Sequence, residues 1–400
     1  MFKKMFKNYD YTMIVIVLLL CAMGLVMVYS ASMIEAVVEY GRESDHFFNN
    51  QLIWIFLGII VFVVFMILPY KVYQKFIVPI TLLMLLSLGS VLLFGKEVNY
   101  AKSWFSIAGF RIQPAEYAKL GIILYLSSVF SKKQSYISNF RTGIVPPLIV
   151  LSLVCFLIFV QPDLGSMMII AMTAGVILFC SGMKWTHLTI MSSVLLFLAF
   201  IGFKFFLSNE QLSRFAAAYH PFEDPVDSGF QLINGYLALG TGGMFGKGLG
   251  QSVQKYGFLP EPHTDFIITI IAEELGFVGV FVIIAMLMYI VFKGMYTGLH
   301  CKDAFGSLLA IGISGMIGIQ TIVNLGAASG ILPVTGVTLP FISYGGSSLI
   351  LLMMSVGILV NISMFVKYRK QQTPPADQSS DHSSKQKTKL KVVSQHRVSQ

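Results

Sequence analysis

The sequence predicts an all-α membrane protein built as a bundle of ten transmembrane helices. Three observations lead to this prediction: 56% of the 400 residues are hydrophobic, only 12% are charged, and the mean hydropathy is +0.75. Soluble domains carry roughly a quarter charged residues, whereas here the charges are confined to short segments between long apolar runs. This composition excludes secreted, disordered and nucleic-acid-binding classes of protein.

Ten apolar runs define the predicted helices, because a helix that crosses a hydrocarbon core of about 30 Å needs about 20 mainly apolar residues. The runs are 11–33, 52–68, 76–94, 115–130, 144–160, 164–181, 187–207, 264–292, 305–328 and 347–366. Three lysines precede the first run, as in a signal peptide, but the apolar stretch Met13–Val28 is longer than the core of a typical signal peptide. We therefore predict a retained first span.

The Lys and Arg residues set the predicted orientation. With the N-terminus inside the cell, 19 of the 28 Lys and Arg residues fall in cytoplasmic segments and seven in external ones, which agrees with the positive-inside rule. Both termini are therefore predicted to be cytoplasmic. The formal net charge of +9 follows from this bias and calls for no nucleic-acid partner.

Two segments lie outside the predicted bundle. Residues 208–262, between spans seven and eight, form a large extracellular loop rich in Gly, Pro and aromatic residues, and loops of this length are usually functional. Residues 371–400 are rich in Ser, Gln and Lys and predict a disordered basic cytoplasmic tail. The predicted organisation is thus one membrane domain, 1–370, followed by the tail 371–400.

The start of the fourth span carries the first group of candidate site residues. Pro114 suits the first helical position, which places Glu116 in the first turn and Lys119 one turn deeper. Two interpretations remain open. Glu116 and Lys119 stabilise the helix start as an i,i+3 ion pair, or Arg111 and Lys119 bind a phosphate group while Glu116 orients the lysine.

The start of the eighth span carries the second group. In one interpretation Thr264 caps the helix and Asp265 occupies its first turn, where the helix dipole favours a carboxylate. In the other, Asp265 lies at the external interface beside the long loop and is a general base that takes a proton from a hydroxyl group. We interpret His263 as shaping the entry to this site rather than acting in catalysis.

Two further carboxylates lie deeper in the eighth span. Glu273 and Glu274 are predicted to face the bundle interior in structural roles, because a lipid-facing carboxylate is costly. Lys204 and Lys119 are their candidate partners. Gly276 is predicted to allow close helix packing.

Two glycine-rich segments accompany these spans. The run 240–250 invites comparison with a phosphate-binding loop, but Gly follows Lys247 where a Walker A motif requires Ser or Thr. We predict flexible or tightly turning backbone at the mouth of a site, with Lys247 as a weak phosphate contact. Residues 332–348 are dense in Pro, Gly and hydroxyl groups, including Ser343 and Ser347, and predict re-entrant backbone that lines a polar cavity.

Together these segments resemble the SEDS family (shape, elongation, division and sporulation) from Tyr11 to Tyr368. Seven motifs in order are more specific than any one of them. They are Gln113-Pro-Ala-Glu116-Tyr-Ala-Lys119, Gln161-Pro-Asp163-Leu-Gly-Ser166, Gly246-Lys-Gly-Leu-Gly250, Pro260-Glu-Pro-His263-Thr-Asp265-Phe266, Glu273-Glu-Leu-Gly276, Asn324-Leu-Gly, and the segment from Leu332-Pro-Val-Thr-Gly to Ser343-Tyr-Gly-Gly-Ser-Ser348. One departure is Ser103 before Trp104, where the family more often has Arg.

The resemblance implies an enzyme of the bacterial cell membrane that polymerises lipid II into glycan strands outside the cell. Length and tail make the chain most similar to the division branch of Gram-positive bacteria, which implies a place at the septum. The implied partners are lipid II, the polyprenyl-diphosphate glycan chain, a class B penicillin-binding transpeptidase and other division or elongation proteins. Asp265 matches the family's essential aspartate. The expected substrate-binding residues are Arg111, Gln113, Glu116, Lys119, Asp163, Lys247, His263, Ser343 and Ser347.

The reaction explains why one base suffices. Polymerisation joins the anomeric carbon of a lipid-diphosphate donor to the 4-hydroxyl of a GlcNAc, and the leaving diphosphate is already acidic, so no dedicated general acid is needed. Arg111, Lys119 or a bound divalent metal cation would offset the charge on the leaving group; no other cofactor is expected. Two other classes stay open at this point: a lipid II flippase or transporter, and a non-catalytic division scaffold.

Overall fold

The computed structural model confirms the all-α class. It describes residues 7–98, 101–107, 110–134, 139–193, 209–226 and 229–372, and almost all of these lie in helices or short connections. The helices are α1 (Tyr11–Val38), α2 (His46–Ile67), α3 (Lys71–Lys75), α4 (Ile77–Phe94), α5 (Pro114–Lys132), α6 (Val145–Val160), α7 (Leu164–Cys180), α8 (Asn209–Tyr219), α9 (Phe230–Gly242), α10 (Ile267–His300), α11 (Ala304–Ala328) and α12 (Gly346–Gln372).

Seven described helical segments are long and apolar enough to cross a membrane by length and composition, and α7 is a shorter apolar helix. The predicted fourth span corresponds to α5, which carries Glu116 and Lys119. Of the predicted seventh span, residues 187–193 are helical, and its remainder, with Lys204, lies outside the described residues. The total of ten spans therefore stays a prediction. The first two residues of the predicted tail, 371 and 372, belong to α12. The rest of the tail lies outside the described residues.

The bundle is organised around its last two helices. In α11 and α12, 72% and 83% of the most apolar window is buried inside the protein, compared with 22–39% in the other candidate spans. α12 packs against α2, and α11 packs against α10 and α7. The remaining helices therefore surround this pair and turn large apolar side chains outward, as a lipid environment requires.

A small antiparallel sheet precedes α5 and was not anticipated from the sequence. Its strands are β1 (Lys96–Val98), β2 (Ala101–Ile107) and β3 (Phe110–Ile112), in the order β1-β2-β3. Ser106 of β2 pairs with Arg111 of β3. Strands this short carry too few alternating residues to be recognised, but the sheet fixes the position of Arg111 immediately before α5.

The two ends of the bundle differ in their polar groups. At one end, which we call the Asp10 end, the buried Asp10 carboxylate lies 3.3 Å from both Lys293 of α10 and Lys367 of α12. At the other, which we call the Asp265 end, lie the sheet and the turns before α10.

The segment 208–262 differs from the predicted open loop. Its described residues include the helices α8 and α9, and α9 packs along α10. The apolar residues Leu232 and Ala238 of α9 are buried, which explains the packing. The predicted loop therefore contains two helices joined to turns, and α9 covers part of α10.

Candidate functional site

Asp265 lies in a series of turns immediately before α10. It does not occupy the first helical turn, and Thr264 does not cap the helix, because the N-cap is Phe266 and makes no side-chain capping bond. The capping interpretation is therefore wrong. The turns begin at Glu261, whose backbone φ of +50° changes the direction of the chain and delays the helix start.

Asp265 is partly buried and partly exposed to solvent. The Thr264 hydroxyl lies 3.2 Å from its Oδ1. Burial, the largest cause, and the Glu261 carboxylate together raise the pKa of Asp265 to about 6, although Arg214 acts in the opposite direction. A carboxyl group with such a pKa is mainly ionised at neutral pH and is a stronger base than an ordinary aspartate.

Asn324 of α11 holds the Asp265 backbone in place. Its Nδ2 donates to the Asp265 carbonyl at 2.7 Å and to the Val337 carbonyl at 2.7 Å. Asn324 is fully buried. The sequence motif Asn324-Leu-Gly includes this residue, but a polar side chain in an apolar span was the only sign of its role.

Next to Asp265, three possible metal ligands converge. Nδ1 of His263 lies 2.9 Å from Oε2 of Glu35 near the end of α1, and a ligand atom of Glu261 lies within 4.8 Å of both. These are the residues of the described chain that could hold a divalent cation. Glu35 was missed by sequence analysis, because 228 residues separate it from His263.

His263 is enclosed rather than placed at an open rim. Only 2% of its side chain is exposed, and its ring lies 4.3 Å from the ring of Phe47 and 5.4 Å from that of Tyr344, measured between centroids. The Tyr344 N–H donates to the His263 carbonyl at 2.9 Å. α2 and the segment before α12 thus fix the imidazole.

At the start of α5, Lys119 Nζ donates to Glu116 Oε1 at 2.6 Å, and only 2% and 10% of the two side chains are exposed. The predicted i,i+3 pair is present. Lys119 is therefore neutralised by Glu116 rather than free, while Oε2 of Glu116 accepts no hydrogen bond from the described residues. Arg111, at the end of the sheet, is exposed.

A hydrogen-bond network joins the starts of α5, α7 and α12. Gln113 Nε2 donates to Asp163 at 2.8 Å, and the Gln113 N–H donates to the Ser347 hydroxyl at 3.1 Å. The Ser347 hydroxyl in turn donates to the Arg111 carbonyl at 3.3 Å. Asp163 caps α7 by accepting from the Ser166 N–H, and burial raises the pKa of Asp163.

Arg111 and Asp265 border the same region of the Asp265 end. Burial raises the pKa of Tyr40, the Glu261 carboxylate raises it further, and the Arg111 cation lowers it. Arg111 likewise opposes the increase that burial produces in the pKa of Tyr344, whose ring contacts His263. Arg111 and the Glu261 carboxylate therefore both act on Tyr40.

α10 is broken at Gly276, where φ is +69° and ψ is −167°. The backbone groups on either side of this break form hydrogen bonds with the glycine-rich segment. The Lys247 N–H donates to the Glu273 carbonyl at 2.9 Å, and the Phe277 N–H donates to the Gly243 carbonyl at 3.0 Å. Irregular backbone within a membrane bundle needs such internal partners. Gly276 therefore allows a break in the helix as well as close packing. The glycine-rich segment is held in place by these hydrogen bonds rather than flexible.

Two lysines outside α10, one on the glycine-rich segment and one just after it, neutralise the two carboxylates of α10. Lys247 Nζ lies 2.7 Å from Glu273, and Lys255 Nζ lies 2.9 Å from Glu274. The prediction that Lys119 pairs with one of them is wrong, because Lys119 pairs with Glu116. With 34% of its side chain exposed, Lys247 retains some access to solvent.

The predicted re-entrant segment lacks regular structure and is buried from Val337 to Ser343, with Thr338 partly exposed. Gln320 of α11 donates to the Thr338 carbonyl at 3.0 Å. The Ser343 hydroxyl accepts from the Leu339 N–H at 2.8 Å, closing a turn. The Ser343 hydroxyl is therefore engaged in a hydrogen bond with the backbone.

The fold and this carboxylate-rich end define a multi-pass membrane protein with a polar site at one end of its helices. The family described as "Cell cycle protein", comprising FtsW, RodA and SpoVE, matches residues 11–368. The chain belongs to this family. The resemblance seen in the motifs is confirmed.

Curated relatives match along most of their length. The chain is 50% identical over 377 residues to the "Probable peptidoglycan glycosyltransferase FtsW" of Bacillus subtilis strain 168, covering 92% of this chain and 94% of the relative. It is 39% identical over 370 residues to the "Stage V sporulation protein E" of the same organism, covering 90% and 98%.

Two solved structures share the fold. A chain of a peptidoglycan synthase complex that coordinates polymerization and crosslinking matches with a TM-score of 0.73 and 27% identity, covering 90% of this chain and 98% of that chain. The rod shape determining protein RodA of Thermus thermophilus matches with a TM-score of 0.65 and 28% identity, covering 89% and 96%.

Proposed function

We propose that this chain is a peptidoglycan glycosyltransferase that polymerises lipid II, with Asp265 as the general base. The relative at 50% identity bears the name of that activity. The single observation that carries the role of Asp265 is its partly exposed carboxylate, whose burial raises its pKa to about 6. General bases work best when their pKa approaches the working pH.

In the proposed step, the 4-hydroxyl oxygen of a GlcNAc attacks the anomeric carbon of the donor sugar. The new bond forms between this oxygen and carbon, and the bond between the carbon and the diphosphate oxygen breaks. Asp265 receives the hydroxyl proton, and undecaprenyl diphosphate leaves with the bonding electrons. Attack opposite the leaving group converts an α-linked diphosphate into a β-linked glycan.

The leaving diphosphate needs positive charge nearby. We assign this role to Arg111, which is exposed and shares its surroundings with the carboxylate cluster through Tyr40 and Tyr344. The buried pair of Lys119 with Glu116 supports the start of α5 beneath it. A bound divalent cation would supply further charge stabilisation.

The remaining candidates are proposed as substrate-binding residues around this centre. Gln113, Asp163 and Ser347 form the network at the starts of α5, α7 and α12. His263 and Ser343 belong to the segments that meet beside Asp265, and Lys247 lies on the glycine-rich segment. Gln113 offers its amide oxygen and Lys247 part of its ammonium group to a polar ligand.

The site is proposed to lie outside the cell, with both termini in the cytoplasm and the protein at the division septum. The lysines around Asp10 lie at the same end as the chain's start and α12's end, which agrees with the positive-inside rule. Lipid II carries its sugars in water and its tail in the outer leaflet, so a site at the Asp265 end meets both parts.

The proposed protein partner is a class B penicillin-binding transpeptidase, together with other division proteins. The fold match to a chain of a peptidoglycan synthase complex supports such an assembly, since that complex coordinates polymerization with crosslinking. Glycan strands released without crosslinking would need such a partner to enter the wall.

The proposal is tested with purified full-length protein in detergent, supplied with lipid II and a divalent cation, with and without a transpeptidase partner. Polymer detected by gel electrophoresis supports a polymerase, since detergent provides no second compartment for transport. Transfer across sealed vesicles without polymer would instead identify a flippase. The pairing of Glu273 and Glu274 with loop lysines at the Asp265 end argues against a transport path through them. A scaffold would make no polymer under any condition.

A further inference from the structure

The cluster of Glu35, Glu261 and His263 joins two parts of the chain that are far apart in sequence. Glu35 belongs to the last turns of α1, and the other two residues belong to the turns before α10. All three ligand atoms lie within 4.8 Å of one another. Ligands bound in octahedral geometry at about 2.1 Å are separated by about 3.0 Å when adjacent and about 4.2 Å when opposite. Small side-chain rotations would therefore bring the three atoms around one ion.

The charges around this cluster are unbalanced. The Glu39 carboxylate contacts Glu35, and the Glu261 carboxylate acts on Asp265. Among the ion pairs formed by the described residues, none joins Glu35, Glu39, Glu261 or Asp265 to a Lys or Arg. His263 pairs with Glu35, and the charge of Arg214 acts on Asp265. Carboxylates brought together in partial burial repel one another unless a cation or a proton neutralises them.

We propose that Glu35, Glu261 and His263 bind one divalent cation, Mg²⁺ or Mn²⁺. Two carboxylate oxygens and one imidazole nitrogen form a ligand set that suits Mn²⁺ well, and Mg²⁺ accepts the carboxylates while retaining waters. Three protein ligands leave coordination positions for water or for diphosphate oxygens. Use of the cation in catalysis rests on the proposed function, whereas binding itself does not.

The surroundings hold the three ligands in place. The Thr264 hydroxyl lies 3.1 Å from Glu261 Oε2 and 3.2 Å from Asp265 Oδ1, so it bridges a ligand and the general base. Phe47 and Tyr344 pack on the His263 ring. Binding through Nδ1 requires the neutral imidazole with its proton on Nε2. Groups that orient metal ligands in this way commonly change affinity by about 10–100-fold when removed.

Cation binding is measured by electron paramagnetic resonance during titration of the full-length protein in detergent with Mn²⁺, without substrate. Wild-type protein is expected to bind one Mn²⁺ that Mg²⁺ displaces. Glu35→Gln and Glu261→Gln keep the shape of the side chain and are each expected to weaken binding by about 10-fold or more. Glu261→Gln is the second variant, because Glu261 is only partly buried and its replacement is less able to disturb folding.

The matched control is Glu223→Gln. Glu223 also pairs with a histidine, His220 at 3.5 Å, but both side chains are exposed and no third ligand joins them from the part of the chain that the structure describes. This variant is expected to bind Mn²⁺ like wild type. The proposed site would be overturned if wild-type protein bound no Mn²⁺. It would also be overturned if Glu35→Gln and Glu261→Gln both bound Mn²⁺ with the affinity of wild type. Failure of polymerisation with intact Mn²⁺ binding would overturn the proposed function instead.

Discussion

The side-chain amide of Asn324 ties Asp265 to the re-entrant segment. One Nδ2 atom donates to the Asp265 and Val337 carbonyls, each at 2.7 Å. Three pieces of structure, namely the turns before α10, the helix α11 and the segment 332–345, are therefore positioned by one buried residue. A displacement of any of them moves the carboxylate.

The first prediction concerns this amide. Asn324→Leu keeps the approximate size of the side chain but leaves two buried carbonyls without a donor, which costs about 1–3 kcal/mol each. We expect polymerisation to fall by about 100-fold in kcat with a smaller change in KM, because a displacement of about 1 Å can have that effect. Initial rates at several lipid II concentrations measure the two constants.

The control for Asn324 is Asn361→Leu. Asn361 is also a fully buried asparagine whose Nδ2 donates to a carbonyl, that of Met66 at 2.7 Å, but it lies at the Asp10 end. Asn361→Leu is expected to lower the melting temperature as much as Asn324→Leu does, while KM and kcat stay near the wild-type values. Equal kinetic losses in the two variants would reduce Asn324 to a structural role.

The second prediction concerns Asp265 itself. Asp265→Asn preserves shape and the Asn324 contact to the backbone but removes the proton acceptor, so polymer formation is expected to disappear while membrane insertion and partner binding remain. Asp303→Asn is the control, because Asp303 caps α11 at the opposite end by accepting from the Gly306 N–H. Gel analysis of the polymer from both variants decides the matter; substantial polymer from Asp265→Asn would refute the assignment.

The third prediction concerns pH. Burial raises the pKa of Asp265 to about 6, so in protein freed of divalent cations the carboxyl gains its proton as pH falls through about 6 rather than near 4. A base must be ionised, and activity is therefore expected to decline in the same direction. Infrared difference spectra should show a protonated-carboxyl band in wild type that is missing in Asp265→Asn, and Mn²⁺ should move the titration to lower pH. A titration near 4 without the cation would contradict the structure.

The fourth prediction concerns the break in α10. A Cβ at Gly276 would overlap the backbone of Met244 and Gly246, and the residue has φ +69°. Gly276→Ala is therefore expected to reduce the yield of folded protein sharply and to abolish polymerisation. Gly175→Ala, on α7, meets no atom of the described residues within 4 Å and should behave like wild type. Size-exclusion profiles and melting temperatures compare the two variants.

The fifth prediction concerns the buried pair of Lys255 and Glu274. Only 1% of the lysine and 0% of the glutamate side chain are exposed, so Lys255→Met leaves an uncompensated carboxylate and is expected to destabilise the protein by about 3–5 kcal/mol. Adding Glu274→Gln to this variant should restore much of the melting temperature. A double variant no more stable than Lys255→Met would show that the pair does not act as a unit.

Local features were predictable from the sequence, and contacts between distant segments were not. Pro114, Glu116 and Lys119 lie within two turns of one helix, so their spacing alone predicted the ion pair. The partner of Glu273, Lys247, lies on the glycine-rich segment, and the partner of Glu274, Lys255, lies just after it. Nothing in the local pattern places either lysine beside α10. Likewise, 228 residues separate Glu35 from His263, and their meeting depends on how α1 packs near α10. The helix start was misplaced because Glu261 takes up a backbone conformation that is uncommon for residues other than glycine.

The central position of α11 and α12 has a consequence for biosynthesis. These two helices follow the other described candidate spans in the sequence and yet are the most enclosed of them, so the helices made earlier must reach the bilayer without the neighbours that later fill the space between them. Since α2 and α12 are paired in the finished protein, a nascent chain that stalls before residue 346 has no interior for α2 to join. Quality control of this protein therefore depends on complete translation, and shortened products are expected to be degraded rather than accumulate as partial bundles.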